Sequence, residues 1–287
     1  MRKLNLTMLS VFVFGFWLNV GIAGTACTST STKDLHMNSD GNAANYDSLG
    51  DGYCFQTPTN MDVTIYEVGI CTAHASPGDK TACTTLFSDA NGQLVNLSVG
   101  SSLNLLGDIS ISQGTYSHAY ILMSNKTAIK TVMQFSNLRT DAEGNQGSYC
   151  YTNGDSWDDN PEPNAIMSCG TNASAATASE ETIGLMDSTG NDSYSVVPYT
   201  VTMAGEQVVS NLYMTDADGT TPSVSDETSK RILGSQVLGN QVTVTPSTSY
   251  IDVSFAITDG VAVGFNDDQT GPYDAVFEAL KFQITAN

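Results

Sequence analysis

Residues 250–258 read YIDVSFAIT, and apolar side chains fall on every second position. Ile251, Val253, Phe255 and Ile257 alternate with Asp252, Ser254 and Ala256. A β-strand turns successive side chains to opposite faces, so this pattern sets one face on a core and the other toward solvent. The same alternation returns in ALKFQIT (279–285), where Leu280, Phe282 and Ile284 are spaced by Lys281, Gln283 and Thr285. DVTIYEVGI (62–70), TAIKTVMQF (127–135), YTVTMAG (199–205), QVVSNLYM (207–214) and NQVTVTP (240–246) are rich in Val, Ile, Thr and Tyr. Turn-forming Gly, Asn, Asp, Ser and Pro separate them. Helical periodicity is nearly absent. The pattern predicts an all-β protein, an antiparallel β-sandwich built as one large or two small units, with disulfide-stapled loops.

The ends and the cysteines place the chain in an oxidising compartment. Arg2 and Lys3, an apolar run from Met8 to Val20 and the small residues GIAGTAC have the layout of a secretory signal peptide over residues 1–26. Gly24 stands where a lipoprotein signal usually carries a leucine-like residue, which argues against lipidation of Cys27. All six cysteines follow the leader: Cys27, Cys54, Cys71, Cys83, Cys150 and Cys169. An even count in an exported chain favours disulfides, and none of them forms a CxxC pair. Closeness in sequence favours Cys27–Cys54, Cys71–Cys83 and Cys150–Cys169.

Between the strands, two stretches read as inserts. Residues 27–60 are rich in Ser, Asn, Asp and Gly, and residues 141–182 contain GSYCYTNGDSWDDNPEPN and the small-residue run NASAATASEE. A short helix over Ala173–Glu181 is a weak expectation. The chain divides into a first sandwich half at 27–165, a linker or loop at 166–184 and a second half at 185–287.

DVTIYEVGICT, followed by LVNLSVGSSLNLLGDISISQGTYSHAYILMSN, resembles secreted bacterial β-sandwich surface domains over residues 62–125. The likeness rests on a Val-Thr-Ile-Tyr-x-Val strand and on a strand leaving a Gly-Thr-Tyr corner. It implies a sandwich at the cell surface and brings no catalytic residues. The Cys71–Cys83 pair departs from the simple pattern.

Charge narrows the partners. The chain holds 30 acidic and 10 basic residues, a formal net charge of −20. Phosphate recognition needs a basic surface, so a nucleic-acid partner is excluded as an expectation, as is an anionic membrane surface. No second long apolar stretch follows the leader, so no membrane span is expected in the mature chain.

Candidate sites are few. In GTYSHAYILMSN (114–125), Tyr116, His118, Tyr120 and Leu122 are expected on one strand face, with Ala119, Ile121 and Met123 on the other. His118 then reads as part of a strand face rather than as a ligand. His36 and His74 lie in separate polar loops, and no HxH, HxxxH or HExxH spacing occurs. No GxSxG elbow is present, and the chain is expected not to be an enzyme. Calcium is the expected cofactor, because hard carboxylate oxygens on Gly-rich turns suit it. Asp216 and Asp218 in TDADGTT, and Asp267 and Asp268 in GFNDDQTGPYD, are the candidate ligands. Asp40, Asp47, Asp51 and Asp274 stand in similar turns, although Asp and Asn also form turns without any metal. Trp157 with Asp158 and Asp159 is the candidate ligand-binding site, and Trp157 covering a disulfide is the competing reading.

The leading expectation is a secreted structural or adhesive surface protein, a subunit of an extracellular fibre, sheath or matrix. Self-assembly through sheet edges, or contact with other surface proteins, would provide its partners. A soluble carbohydrate-binding sandwich is the alternative, and a secreted hydrolase with a carboxylate pair comes third.

Overall fold

A computed structural model describes residues 25–32, 52–99, 102–103, 111–156, 164–185, 193–203, 205–223, 229–265 and 270–287. The strands are β1 (Gly52–Gln56), β2 (Asn60–Cys71), β3 (Cys83–Leu97), β4 (Ser102–Leu103), β5 (Gly114–Lys130), β6 (Val132–Thr140), β7 (Gln146–Ser156) and β8 (Ala165–Gly170). They continue with β9 (Ser179–Thr182), β10 (Ser195–Met203), β11 (Glu206–Thr215), β12 (Arg231–Val244), β13 (Ile251–Ala256), β14 (Val261–Phe265), β15 (Asp274–Phe277) and β16 (Lys281–Ala286). The named strands pair antiparallel in three sheets.

The seven-stranded sheet runs β10-β11-β12-β5-β2-β3, with β9 added beside the end of β5. A six-stranded sheet runs β1-β14-β15-β8-β7-β6, and a three-stranded one β16-β13-β4. The alternation in YIDVSFAIT and ALKFQIT reappears as a direct pairing of β13 with β16, where Phe255 faces Phe282 across the ladder. Their rings lie 5.0 Å apart and tilted, within the range of favourable aromatic pairs.

One continuous apolar core joins all three sheets. Ile65, Ile121, Met123 and Ile232 of the seven-stranded sheet share it with Met133, Phe135, Met167 and Phe265 of the six-stranded sheet and with Val253, Phe255 and Phe282 of the third. Gln236, buried on β12, ties the layers by hydrogen bonds: its amide nitrogen donates to the Leu280 carbonyl (3.2 Å) and its amide oxygen accepts from Phe282 N (2.9 Å). A buried amide satisfied on both ends costs little and fixes the relative position of the sheets.

The sheets do not follow the expected division of the chain. β5 pairs with β12 from Arg231↔Ser124 to Val237↔His118, and β1 pairs with β14. Strands from before residue 165 and after residue 185 therefore share all three sheets. The span 166–184, expected as a linker or loop, carries most of β8 and all of β9. The stretch 141–182, expected as an insert, supplies β7, β8 and β9. Cys150, Met167 and Cys169 face the core, and the polar Thr152, Ser179 and Glu181 of the same stretch are buried as well. The expected helix over Ala173–Glu181 is a single 3-10 turn, Ala173–Ala175, capped by the Asn172 side chain.

The disulfides follow the expected nearest-neighbour pairing, Cys27–Cys54, Cys71–Cys83 and Cys150–Cys169. Two of them join register partners on adjacent strands, Cys71 with Cys83 and Cys150 with Cys169. The third ties the N-terminal segment to β1, where Ala26 also bridges Phe55. The sulfur of Cys27 is thus engaged with Cys54.

Candidate functional site

The strand that raised the histidine question, β5, is covered on both faces. Ala119, Ile121 and Met123 point into the main core, while Tyr120 and Leu122 join Cys71, Ala75 and Leu233 in a second, smaller cluster on the outer face. Tyr116 departs from the expectation that it shares the face of Tyr120: it belongs to the main core, and its hydroxyl donates to the Ser112 carbonyl (2.8 Å). The cause is a register irregularity beside it, where β12 inserts extra residues between Val237 and Val242. Such bulges re-aim side chains.

Two loops roof the outer face. The first, residues 72–82, is closed by Cys71–Cys83, whose Cα atoms are 4.0 Å apart. The second, residues 216–223, turns between β11 and β12. Gly219, at φ +73, has no room for a Cβ because Leu122 lies directly beneath it. Gly69 likewise lets the Tyr120 ring lie against the β2 backbone. A Cβ at Gly69 would meet the Tyr120 ring and the Thr84 carbonyl, and one at Gly219 would push the end of the Leu122 side chain aside.

Between the loops and the edge of the sheet lies an open depression of about 270 Å³, lined in part by Tyr66, Glu67, Lys80, Asp89, Asp218 and Arg231. The Arg231 guanidinium stacks on the Tyr66 ring, 3.6 Å from its centroid. Lys80 pairs with Glu67 and sits 5.3 Å from the Tyr120 ring centroid. The Tyr120 hydroxyl bonds Thr85 Oγ1 at 2.8 Å, and burial pushes its ionisation well above the usual phenol range. The depression therefore offers an aromatic–cation stack beside acidic groups, on a chain with few cations.

Asp216 and Asp218 line the second loop. Asp218 accepts from Thr220 N (2.5 Å), Thr221 N (2.8 Å) and Thr221 Oγ1 (2.9 Å), and the Thr220 backbone bond leads in holding its carboxyl far below the usual range. Asp216 is shifted upward, chiefly by its side-chain contact with Asp218. Both carboxylates build the turn. Among the described residues, no three His, Cys, Asp or Glu side chains gather into a group able to hold a metal ion. Asp267, Asp268, Trp157, Asp158 and Asp159 lie outside the described residues, as do His36, Asp40, Asp47 and Asp51. Asp274 is not a turn residue: it lies on β15, 1% exposed, and accepts from Asn164 Nδ2 at 3.2 Å.

Two features escaped sequence reasoning. The first is a pair of histidines, His74 in the disulfide-closed loop and His118 on β5, with ring centroids 4.4 Å apart and the rings edge to face. Burial lowers the pKa of both, and the neighbouring His74 lowers that of His118 further. The pairing of Cys71 with His118 in the β2–β5 register places the root of the loop beside this histidine. No spacing rule could have shown this, because the contact spans 44 positions and depends on that register.

The second is Glu181 on β9, 3% exposed. It accepts from Phe277 N (2.6 Å) and Thr127 Oγ1 (3.3 Å). Burial, reinforced by repulsion from Asp274 and Glu278, pushes its pKa up to about 8. It lies in the interior and lines no part of the depression.

In comparisons with known proteins, no family model, no curated protein and no solved structure matches the chain.

Proposed function

We propose that the protein is an exported structural or adhesive surface subunit that assembles with copies of itself through the open edges of its seven-stranded sheet. One observation carries the reading: exposed apolar side chains sit at both ends of that sheet. Leu94, 70% exposed, lies on β3, and Val197, 52% exposed, lies on β10; these are the outermost of the described strands. Pro198 and a register irregularity interrupt the edge of β10 beside Val197, so contact there runs through side chains. Contact of one end with the other in a neighbouring copy is head-to-tail and grows into a filament when the rotation does not close. The leader at residues 1–26 and the three disulfides support export, since such bonds persist in oxidising compartments.

Sedimentation velocity and negative-stain imaging across a concentration series test it. Growing assemblies that vanish in Leu94→Lys and in Val197→Lys are the expected result. A monomer at every concentration, with and without calcium, contradicts it.

The depression between the loops favours a second reading, a ligand-binding module, because Tyr66 and Arg231 present a stacked surface there. Retention of glycans by the parent protein and their loss in Tyr66→Ala would support it.

A further inference from the structure

We propose that His74 and His118 form a two-histidine binding site for a divalent transition metal of the copper, nickel or zinc class, with water in the remaining positions.

Hydrogen-bond contacts engage Nδ1 of both imidazoles. His74 Nδ1 faces the Ser235 carbonyl oxygen at 3.1 Å and Ser235 Oγ at 3.2 Å. A carbonyl can only accept, so Nδ1 of His74 carries the hydrogen. His118 Nδ1 lies 2.8 Å from Ser117 Oγ, and that hydroxyl is itself within 3.3 Å of the Thr72 carbonyl. That placement lets the hydroxyl donate to Thr72 O while accepting from His118 Nδ1. With Nδ1 engaged on both rings, Nε2 is the nitrogen each ring has for a metal, and neither Nε2 has a hydrogen-bond partner among the described residues. An outer-shell acceptor on one ring nitrogen and a free lone pair on the other is the usual state of metal-bound histidine.

The frame around the pair is rigid. Ser235 Oγ also accepts from Ala75 N (2.9 Å), anchoring the chain next to His74. The Cys71–Cys83 bond closes the loop that carries His74, and His118 stands on a strand paired on both sides. Two imidazoles bound to one ion as neighbouring ligands, with bonds of about 2.0–2.1 Å, stand close together, and these rings lie 4.4 Å apart. Imidazole suits copper, nickel and zinc, whereas calcium prefers oxygen, so this site is separate in kind from the acidic turns. The negative surface concentrates cations near the chain.

The test uses the mature protein purified without a histidine tag. Cu2+ is titrated by calorimetry, and the bound ion is examined by electron paramagnetic resonance. One equivalent should bind, with hyperfine structure from two imidazole nitrogens. His74→Gln and His118→Gln should each weaken binding at least tenfold, while His36→Gln and a Ca2+ titration leave it unchanged. Tm and circular dichroism show whether each variant folds, and the spectrum of the parent protein decides the matter if one does not. Absence of Cu2+ binding, a spectrum with one nitrogen ligand or none, or full affinity in folded His74→Gln and His118→Gln would overturn the proposal.

Discussion

The two faces of β5 are built on different principles, and the contrast explains where this molecule is inert and where it is chemically equipped. The inner face lays Ala119, Ile121 and Met123 into a core shared by three sheets. The outer face lays Tyr120 and Leu122 under two short loops, with an ion pair, a disulfide and a histidine pair at its margins. Stability resides in the first. In the second, a thin roof of loops leaves polar groups within reach of solvent.

Neighbouring residues on β5 test that contrast directly. Ile121 and Leu122 are 4% and 3% exposed but face opposite ways. Ile121→Ala opens a cavity between sheets that cannot close, and should cost about 4 kcal/mol. Leu122→Ala opens one beneath the Gly219 turn, which can settle, and should cost about 2 kcal/mol. Urea unfolding measures both, and equal losses would erase the distinction.

Removing the outer staple comes next. Cys71→Ser with Cys83→Ser frees a loop whose closure is worth about 3 kcal/mol in the chain-entropy account. The loss should be accompanied by faster amide exchange over residues 72–82, with the inner strands unchanged.

A third comparison uses pH. Glu181, in the interior, holds its proton to about pH 8 when folded, against 4.5 for an ordinary glutamate. Between these values the folded state binds more protons than the unfolded one, so stability falls as pH rises, by about 1.4 kcal/mol per pH unit from this group. Its contribution is complete below pH 4.5 and lost as pH climbs through 8. Glu181→Gln should flatten the decline between pH 5 and pH 7.5; an unchanged slope would assign it elsewhere.

The smallest effect belongs to the outer surface. Arg231→Ala removes the stack on Tyr66 and should cost about 0.5–1 kcal/mol. A larger loss would mean that the depression holds the fold together and does not merely decorate it.

Alternation made the fold class legible, because a sheet half-facing a core writes its period into the sequence, as at Ile251 to Ile257. The disulfide partners were legible because each pair is close in sequence, and two of the pairs join consecutive strands that lie side by side. Sheet membership was not: the pairing of Ser124 with Arg231 depends on contacts more than a hundred positions apart, with no local signature. The polar stretch 141–182 hid three strands, because its buried positions mix Cys150, Met167 and Cys169 with polar Thr152, Ser179 and Glu181, so no apolar alternation runs through it. At the candidate site, Asp216 and Asp218 were visible as a turn, whereas the meeting of His74 with His118 followed from the register of β2 on β5.

Native-state hydrogen exchange tests the central claim most directly: that strands from both ends of the chain close around one core and unfold as one unit. Amides of residues 119–123 on β5 and 232–236 on β12 should be among the slowest and should share a single opening free energy. Two well-separated values, with residues 231–287 opening while 60–130 stay protected, would contradict it.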